Sequence, residues 1–146
     1  GMLDRVTDKA DRLERFVNAA DDELEQCFEQ EVCIEKREFE ELCNQNMDEI
    51  KRGSKGKKIW IYGAGKGGRI LSDCLKRNGI CPDGFLDEKA EILKECNGKP
   101  VQLVEEIETN NCYIIISLFH FAPYIIKPLL EHGIDRKDIF YMCIRH

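Results

Sequence analysis

Ile59 to Arg69 reads I-W-I-Y-G-A-G-K-G-G-R, and this stretch decides the fold. Ile59 to Tyr62 is a short run of β-branched and aromatic residues ending on glycine, the pattern of a buried strand bounded by a turn. Beyond the glycines, Ile70, Leu71, Cys74 and Leu75 return at helical spacing until Asn78-Gly79 stops them. Gly63, Gly65 and Gly68 form G-x-G-x-x-G between that strand and that helix. Gly63 permits the tight turn, Gly65 keeps a Cβ out of the way of an approaching pyrophosphate, and Gly68 lets the helix pack closely on the strand. A helix beginning near Lys66 offers unbonded amides and its positive dipole end to an anion. Ala64, Lys66, Gly67 and Arg69 complete the candidate loop, with Lys66 and Arg69 in reach of phosphates. The blander reading of the same residues is a turn that uses glycine only for packing, flanked by solvated basic side chains.

Downstream, strand and helix patterns alternate. Gly84 to Asp87 (GFLD) reads as a second strand, Pro100 to Val104 as a weak third, and Cys112 to Ser117 (CYIIIS) as a strong fourth. A helix over Pro123 to Glu131 stops at Gly133, and Ile139 to Met142 is a fifth strand. Such alternation predicts an α/β domain with an open parallel sheet of about five strands. Asp87 lies 19 residues after Gly68 at the end of the second strand, where a carboxylate accepts from ribose hydroxyls. Ser117, Leu118 and His120 follow the fourth strand and face the crevice where open α/β sheets bind ligands. Ser117 is a candidate helix cap. His120 is a candidate acid, base or hydrogen-bond donor, with a surface histidine as the bland alternative.

Upstream, residues 1–52 hold 16 acidic and 8 basic side chains, whereas residues 53–146 hold 12 and 14. The first part is an acidic helical segment, a hairpin or coiled coil. Leu3, Val6, Ala10, Leu13, Val17, Ala20, Leu24 and Cys27 recur at 3-4 spacing. After Cys27 the phase slips, and a second stripe runs through Phe28, Val32, Phe39, Leu42, Met47 and Ile50. These stripes must cover another surface, either this chain's own domain or a second chain, the latter giving a homodimer through the N-terminal helices. Residues 53–58 read as a basic linker whose Gly53 and Gly56 end the helix. The domain proper is expected over 59–146.

The chain has 146 residues, enough for one domain with an appendage, and its core needs neither disulfide nor metal. The longest apolar run falls far short of the roughly 20 residues that span a bilayer, so no membrane partner is expected. The charged N-terminus lacks the apolar core of a secretory signal, and Gly1 before Met2 resembles an expression scar, so a cytoplasmic location is expected. A net charge of −6 disfavours nucleic acid as a partner. The eight cysteines include no C-x-x-C, and none of the three histidines lies near a cysteine pair, so thiols rather than zinc are expected. Catalytic signatures are missing: Tyr124 and Lys127 stand three apart, not four, and no phosphate-binding G-x-x-x-x-G-K-[ST], G-x-S-x-G, H-E-x-x-H or carboxylate pair occurs.

WIYGAGKGGRIL, GFLDEKAE, VEEI, YIIISL and the final HGI together resemble a family of small Rossmann-like domains over about residues 57–142. They are similar to the N-terminal nucleotide-sugar-binding domain of bacterial sugar O-acyltransferases. They are also similar to the NAD-binding-like domain of polysaccharide-biosynthesis epimerases and dehydratases, and to the C-terminal domain of some sugar C-methyltransferases. The resemblance implies that Gly63 to Arg69 hold phosphates and that Asp87 sits by the ribose or base. The acyltransferases often carry His where this chain has Gly67, and their catalytic β-helix is missing here. The expectation is a domain that binds NAD or a nucleotide-sugar in surface-glycan or sugar metabolism without evident catalytic residues. The alternatives are a small NAD(P)-dependent oxidoreductase or epimerase-like enzyme and a non-catalytic oligomeric scaffold.

Overall fold

Two strands apolar on both faces sit at the centre of a sheet, because only central strands are covered on both sides. They are β1 (Lys58–Tyr62), in which Ile59, Trp60 and Ile61 are all buried, and β5 (Cys112–Ile116), buried throughout. They pair parallel, with Lys58 opposite Cys112 and Tyr62 opposite Ile116. The computed structural model describes residues 29–117 and 122–141. Within them the chain runs α1 (Glu29–Gln45), α2 (Met47–Ser54), β1, α3 (Lys66–Arg77), β2 (Gly84–Leu86), α4 (Ala90–Leu93), β3 (Glu95–Cys96), β4 (Lys99–Gln102), a 3₁₀ turn (Val104–Glu106), β5, α5 (Ala122–His132), a second 3₁₀ turn (Arg136–Asp138) and β6 (Ile139–Tyr141).

The sheet is α/β in type and six-stranded, in the order β3-β4-β2-β1-β5-β6. All neighbours are parallel except β3 and β4. The expected count of about five is therefore corrected by one. The added strand, Glu95–Cys96, pairs with Lys99 and Pro100 across Asn97-Gly98, both at positive φ (49° and 75°). Asn-Gly is a strong hairpin signal, but strands of two residues carry no periodicity to read. Gly84 has its own packing reason. It lies opposite Trp60, and a Cβ there would meet the indole at 2.5 Å.

Alternate residues of the central strands feed two cores. Ile59, Ile61, Phe85, Tyr113 and Ile115 face α3, with Ile70, Leu71, Cys74 and Leu75 packed on them. Trp60, Leu86, Ile114 and Ile116 face the other way, against Ile126 and Leu129 of α5. Phe39, Leu42, Cys43, Met47 and Ile50 of α1 and α2, at most 4% exposed, belong to the first core. The described part of the second sequence stripe thus packs within its own chain. Asn46 separates the two helices, its backbone N–H bonded to Leu42 O and its side-chain amide donating to the same carbonyl at 2.8 Å. The first stripe, Leu3 to Cys27, lies outside the described residues.

Gly53 does not end its helix as the composition suggests. It sits inside α2, and the Tyr113 ring against it accounts for the glycine, since a Cβ would come within 2.6 Å of the phenol. The turn falls at Gly56, with φ +74°, and Lys57 pairs with Asp138 to tie the entry of β1 to the turn before β6. No helix among the described residues is long and apolar enough to cross a membrane.

Candidate functional site

The chain adds β2 and β4 on one side of β1 and then crosses to place β5 and β6 on the other. The order reverses between β1 and β5, so their C-terminal ends form the switch point where α/β sheets take ligands in a crevice. Tyr62 and Ile116 end those strands side by side. The hydroxyl of Ser117, fully buried, donates to Tyr62 O at 3.2 Å and fastens the two ends together. Ser117 is thus a brace between the two strand ends, and the residues of the helix start it was expected to cap, 118–121, lie outside the described residues.

The glycine loop follows Tyr62. Gly63 turns the chain at φ +106°, a conformation that favours glycine, while its N–H donates to Leu86 O at 2.7 Å. Gly68, in the first turn of α3, is forced by contact: an added Cβ would lie 1.9 Å from Gly63 O. The helix and the loop therefore touch backbone to backbone. Gly65 is the N-cap of α3, at φ −85° and ψ −163°, extended torsions open to any residue. Its glycine is not demanded by its backbone conformation. The first-turn amides of α3 lack intrahelical acceptors, and Gly65 offers no side chain to cap them. That turn contains no acidic residue and includes Lys66 and Arg69, both partly exposed, whereas a helix dipole alone favours acids there.

Asp87 holds the loop in place. One carboxylate oxygen accepts the Ala64 N–H at 3.0 Å and the other accepts the Lys89 N–H at 2.9 Å, while its own N–H donates to Gln102 O. From the other side the Cys96 thiol donates to Ala64 O at 3.7 Å. The Ala64 peptide is therefore gripped at both ends. Asp87 was expected at a ribose; its described partners are two backbone amides, and each oxygen keeps a further lone pair.

The field at the crevice is mixed. Tyr62, half-buried, has its phenol pushed up to about 12, first by burial and then by Glu88, Asp87 and Glu105. Negative charge thus gathers at the β2 end of the crevice, while Lys66 and Arg69 stand at the α3 end. Among the described residues no group of three or more His, Cys, Asp or Glu side chains is placed to hold a metal.

The structure brings together Gly63 to Arg69, Asp87 and Ser117 at one edge of the sheet. Leu118 and His120 lie outside the described residues. Two contributors were not singled out from sequence: Cys96, delivered by the Asn97-Gly98 hairpin, and Tyr62, the residue before the motif. No protein-family model, curated protein or solved structure matches the chain.

Proposed function

We propose that this chain is a Rossmann-like binding domain for NAD or a nucleotide-sugar, acting as an accessory or binding unit in bacterial surface-glycan or sugar metabolism. The diphosphate lies over Gly65 on the first-turn amides of α3, with Lys66 and Arg69 as counter-charges and Asp87 turning its remaining lone pairs to ribose hydroxyls. Gly65 carries the reading. The other two motif glycines have reasons within the fold, namely the turn at Gly63 and the helix contact at Gly68. Gly65 has extended torsions that admit any residue, and it stands at the uncapped mouth of a helix that begins with basic residues. An anion approaching the backbone there gives a reason for glycine that its torsions do not.

The described side chains at the crevice floor favour binding over chemistry. The Ser117 hydroxyl proton is given to Tyr62 O, and the Tyr62 phenol keeps its proton through the neutral range. Calorimetric titration of the purified protein with NADH and with UDP-sugars, run beside Gly65→Val, tests the reading. Binding of either ligand that falls at least tenfold in Gly65→Val supports it. Unchanged affinity in the variant, or no binding of any nucleotide by the wild type, overturns it; the second result leaves the oligomeric scaffold.

A further inference from the structure

Away from the crevice, two thiols meet where α1 crosses α3. Cys43 and Cys74 are each completely buried and belong to the same core. The Cys43 thiol hydrogen-bonds the Cys74 sulfur, and the Arg77 guanidinium reaches that sulfur too, its Nη2 at 3.0 Å. A core that needed only small apolar filler at these positions has no use for a guanidinium on one sulfur. Arg77 is exposed, in the last turn of α3, so the buried Cys74 Sγ is in direct contact with a side chain that reaches the surface. Cys81, by contrast, is an exposed cysteine with no such arrangement among the described contacts.

We infer that Cys43 and Cys74 are a redox pair that peroxide closes to a disulfide, stapling α1 to α3, with Cys74 as the sulfur that is attacked first and Cys43 as the resolving thiol. Cys74 is the better thiolate: the hydrogen bond from Cys43 and the charge of Arg77 lower it against its burial, while the same hydrogen bond and burial push Cys43 well up. Glu40 and Asp73, the acidic groups nearest the pair, oppose Arg77 in part.

The chemistry balances with hydrogen peroxide as the oxidant. The Cys74 thiolate attacks one peroxide oxygen, the S–O bond forms, the O–O bond breaks, and hydroxide leaves to take up the proton that Cys74 released. Cys43 sulfur then attacks Cys74 sulfur, the S–S bond forms, and the S–O bond breaks. The departing hydroxide takes the Cys43 proton, so two thiols have lost two electrons and one peroxide has become two waters. The disulfide ties the acidic helical segment to the helix whose other end forms the candidate anion site. It closes a loop of about 30 residues and raises the unfolding midpoint by up to roughly 10 °C.

The test uses the full chain treated with hydrogen peroxide, quenched with an alkylating agent under denaturing conditions, and mapped by mass spectrometry. A Cys43–Cys74 linked peptide that dithiothreitol reverses, together with a raised melting midpoint, is expected. Its formation should slow by roughly tenfold in Arg77→Gln, which leaves the core packing in place. In Cys43→Ser the sulfenic acid accumulates on Cys74 and is trapped by dimedone. Both thiols remaining fully alkylatable at a peroxide dose that consumes Cys81 overturns the proposal, as does dimedone labelling of Cys43 instead of Cys74 in the wild type. The wild-type mapping decides the matter even where a variant fails to fold.

Discussion

Gly68→Ala isolates the contact between the glycine loop and α3. The new Cβ would lie 1.9 Å from the Gly63 carbonyl oxygen, and real Cβ atoms essentially never come closer than 3.0 Å, so about 1.1 Å of separation must be created. Neither partner yields easily. Gly63 is fixed by its N–H bond to Leu86 O and by a turn at φ +106°, and Ala64 beyond it is held by Asp87 and Cys96. On the other side α3 is anchored by Ile70, Leu71, Cys74 and Leu75, each at most 5% exposed. Moving the helix disturbs that packing, and overpacking against backbone belongs at or above the upper end of the usual ~1–3 kcal/mol. The expected loss is about 3 kcal/mol, or roughly 6–12 °C in melting midpoint. Gly65→Ala is the control, since its extended torsions accept a Cβ-bearing residue; it should change stability by less than about 1 kcal/mol while weakening ligand binding. Urea denaturation of both variants beside the wild type measures the difference. A Gly68→Ala protein within about 0.5 kcal/mol of wild type, or equal losses in the two variants, would refute the division of labour among the glycines.

NADH is expected to bind at least tenfold more tightly than NADPH, because Asp87, Glu88 and Glu105 bear on the β2 end of the crevice where a 2′-phosphate would lie; equal affinities at one salt concentration would remove Asp87 from the ribose. Tyr113, 3% exposed, is pushed up to about 12, first by burial and then by Glu49 and Asp138, against about 10 in the unfolded chain. Its contribution is therefore intact below pH 10 and is lost as pH rises toward 12, on the order of 2 kcal/mol, so Tyr113→Phe should flatten the alkaline decline seen in denaturation at stepped pH. Self-association through Leu3 to Cys27 predicts that light scattering finds a dimer for the intact chain and a monomer for a chain starting at Glu29. That boundary keeps Phe39, Leu42 and Ile50 in the core, and a dimer that survives the deletion rejects the interface.

The strands that could be read were those with long apolar runs. Ile59–Tyr62 and Cys112–Ser117 announced the sheet's centre because both faces are covered, and the helix stop at Asn78-Gly79 followed from backbone preference, Gly79 standing at φ +79°. What escaped was set by tertiary contact. Glu95–Cys96 is a strand only because Lys99 and Pro100 pair with it. Gly53 looks like a helix terminator in sequence, yet it lies within α2, and its missing side chain makes room for a phenol from β5.

The site divides along the same line, and the division bears on what its motif is evidence for. G-x-G-x-x-G fixes where the chain must turn and where two backbones must touch, and at Gly63 and Gly68 the structure supplies those reasons without any ligand. A chain that conserved only its packing would need no more than these two. The remaining contributors do not belong to the motif: Asp87 and Cys96 grip one peptide of the loop from opposite sides, and Ser117 braces the strand ends beneath it. Their common effect is to fix the loop before anything binds, which removes the ordering entropy a flexible loop would lose on capturing an anion. The same two bonds also satisfy the N–H and C=O of a buried peptide, Ala64 being 5% exposed, so they serve the fold whether or not an anion binds. Asp87→Ala should therefore separate the two roles. It frees the Ala64 and Lys89 amides, with a stability loss of about 1–3 kcal/mol. In a binding site it also lowers affinity for nucleotides without a 2′-phosphate, because both the loop's preorganisation and the ribose contact are lost. Calorimetry on the folded variant that finds NADH or UDP-sugar affinity undiminished would assign Asp87 to the fold alone.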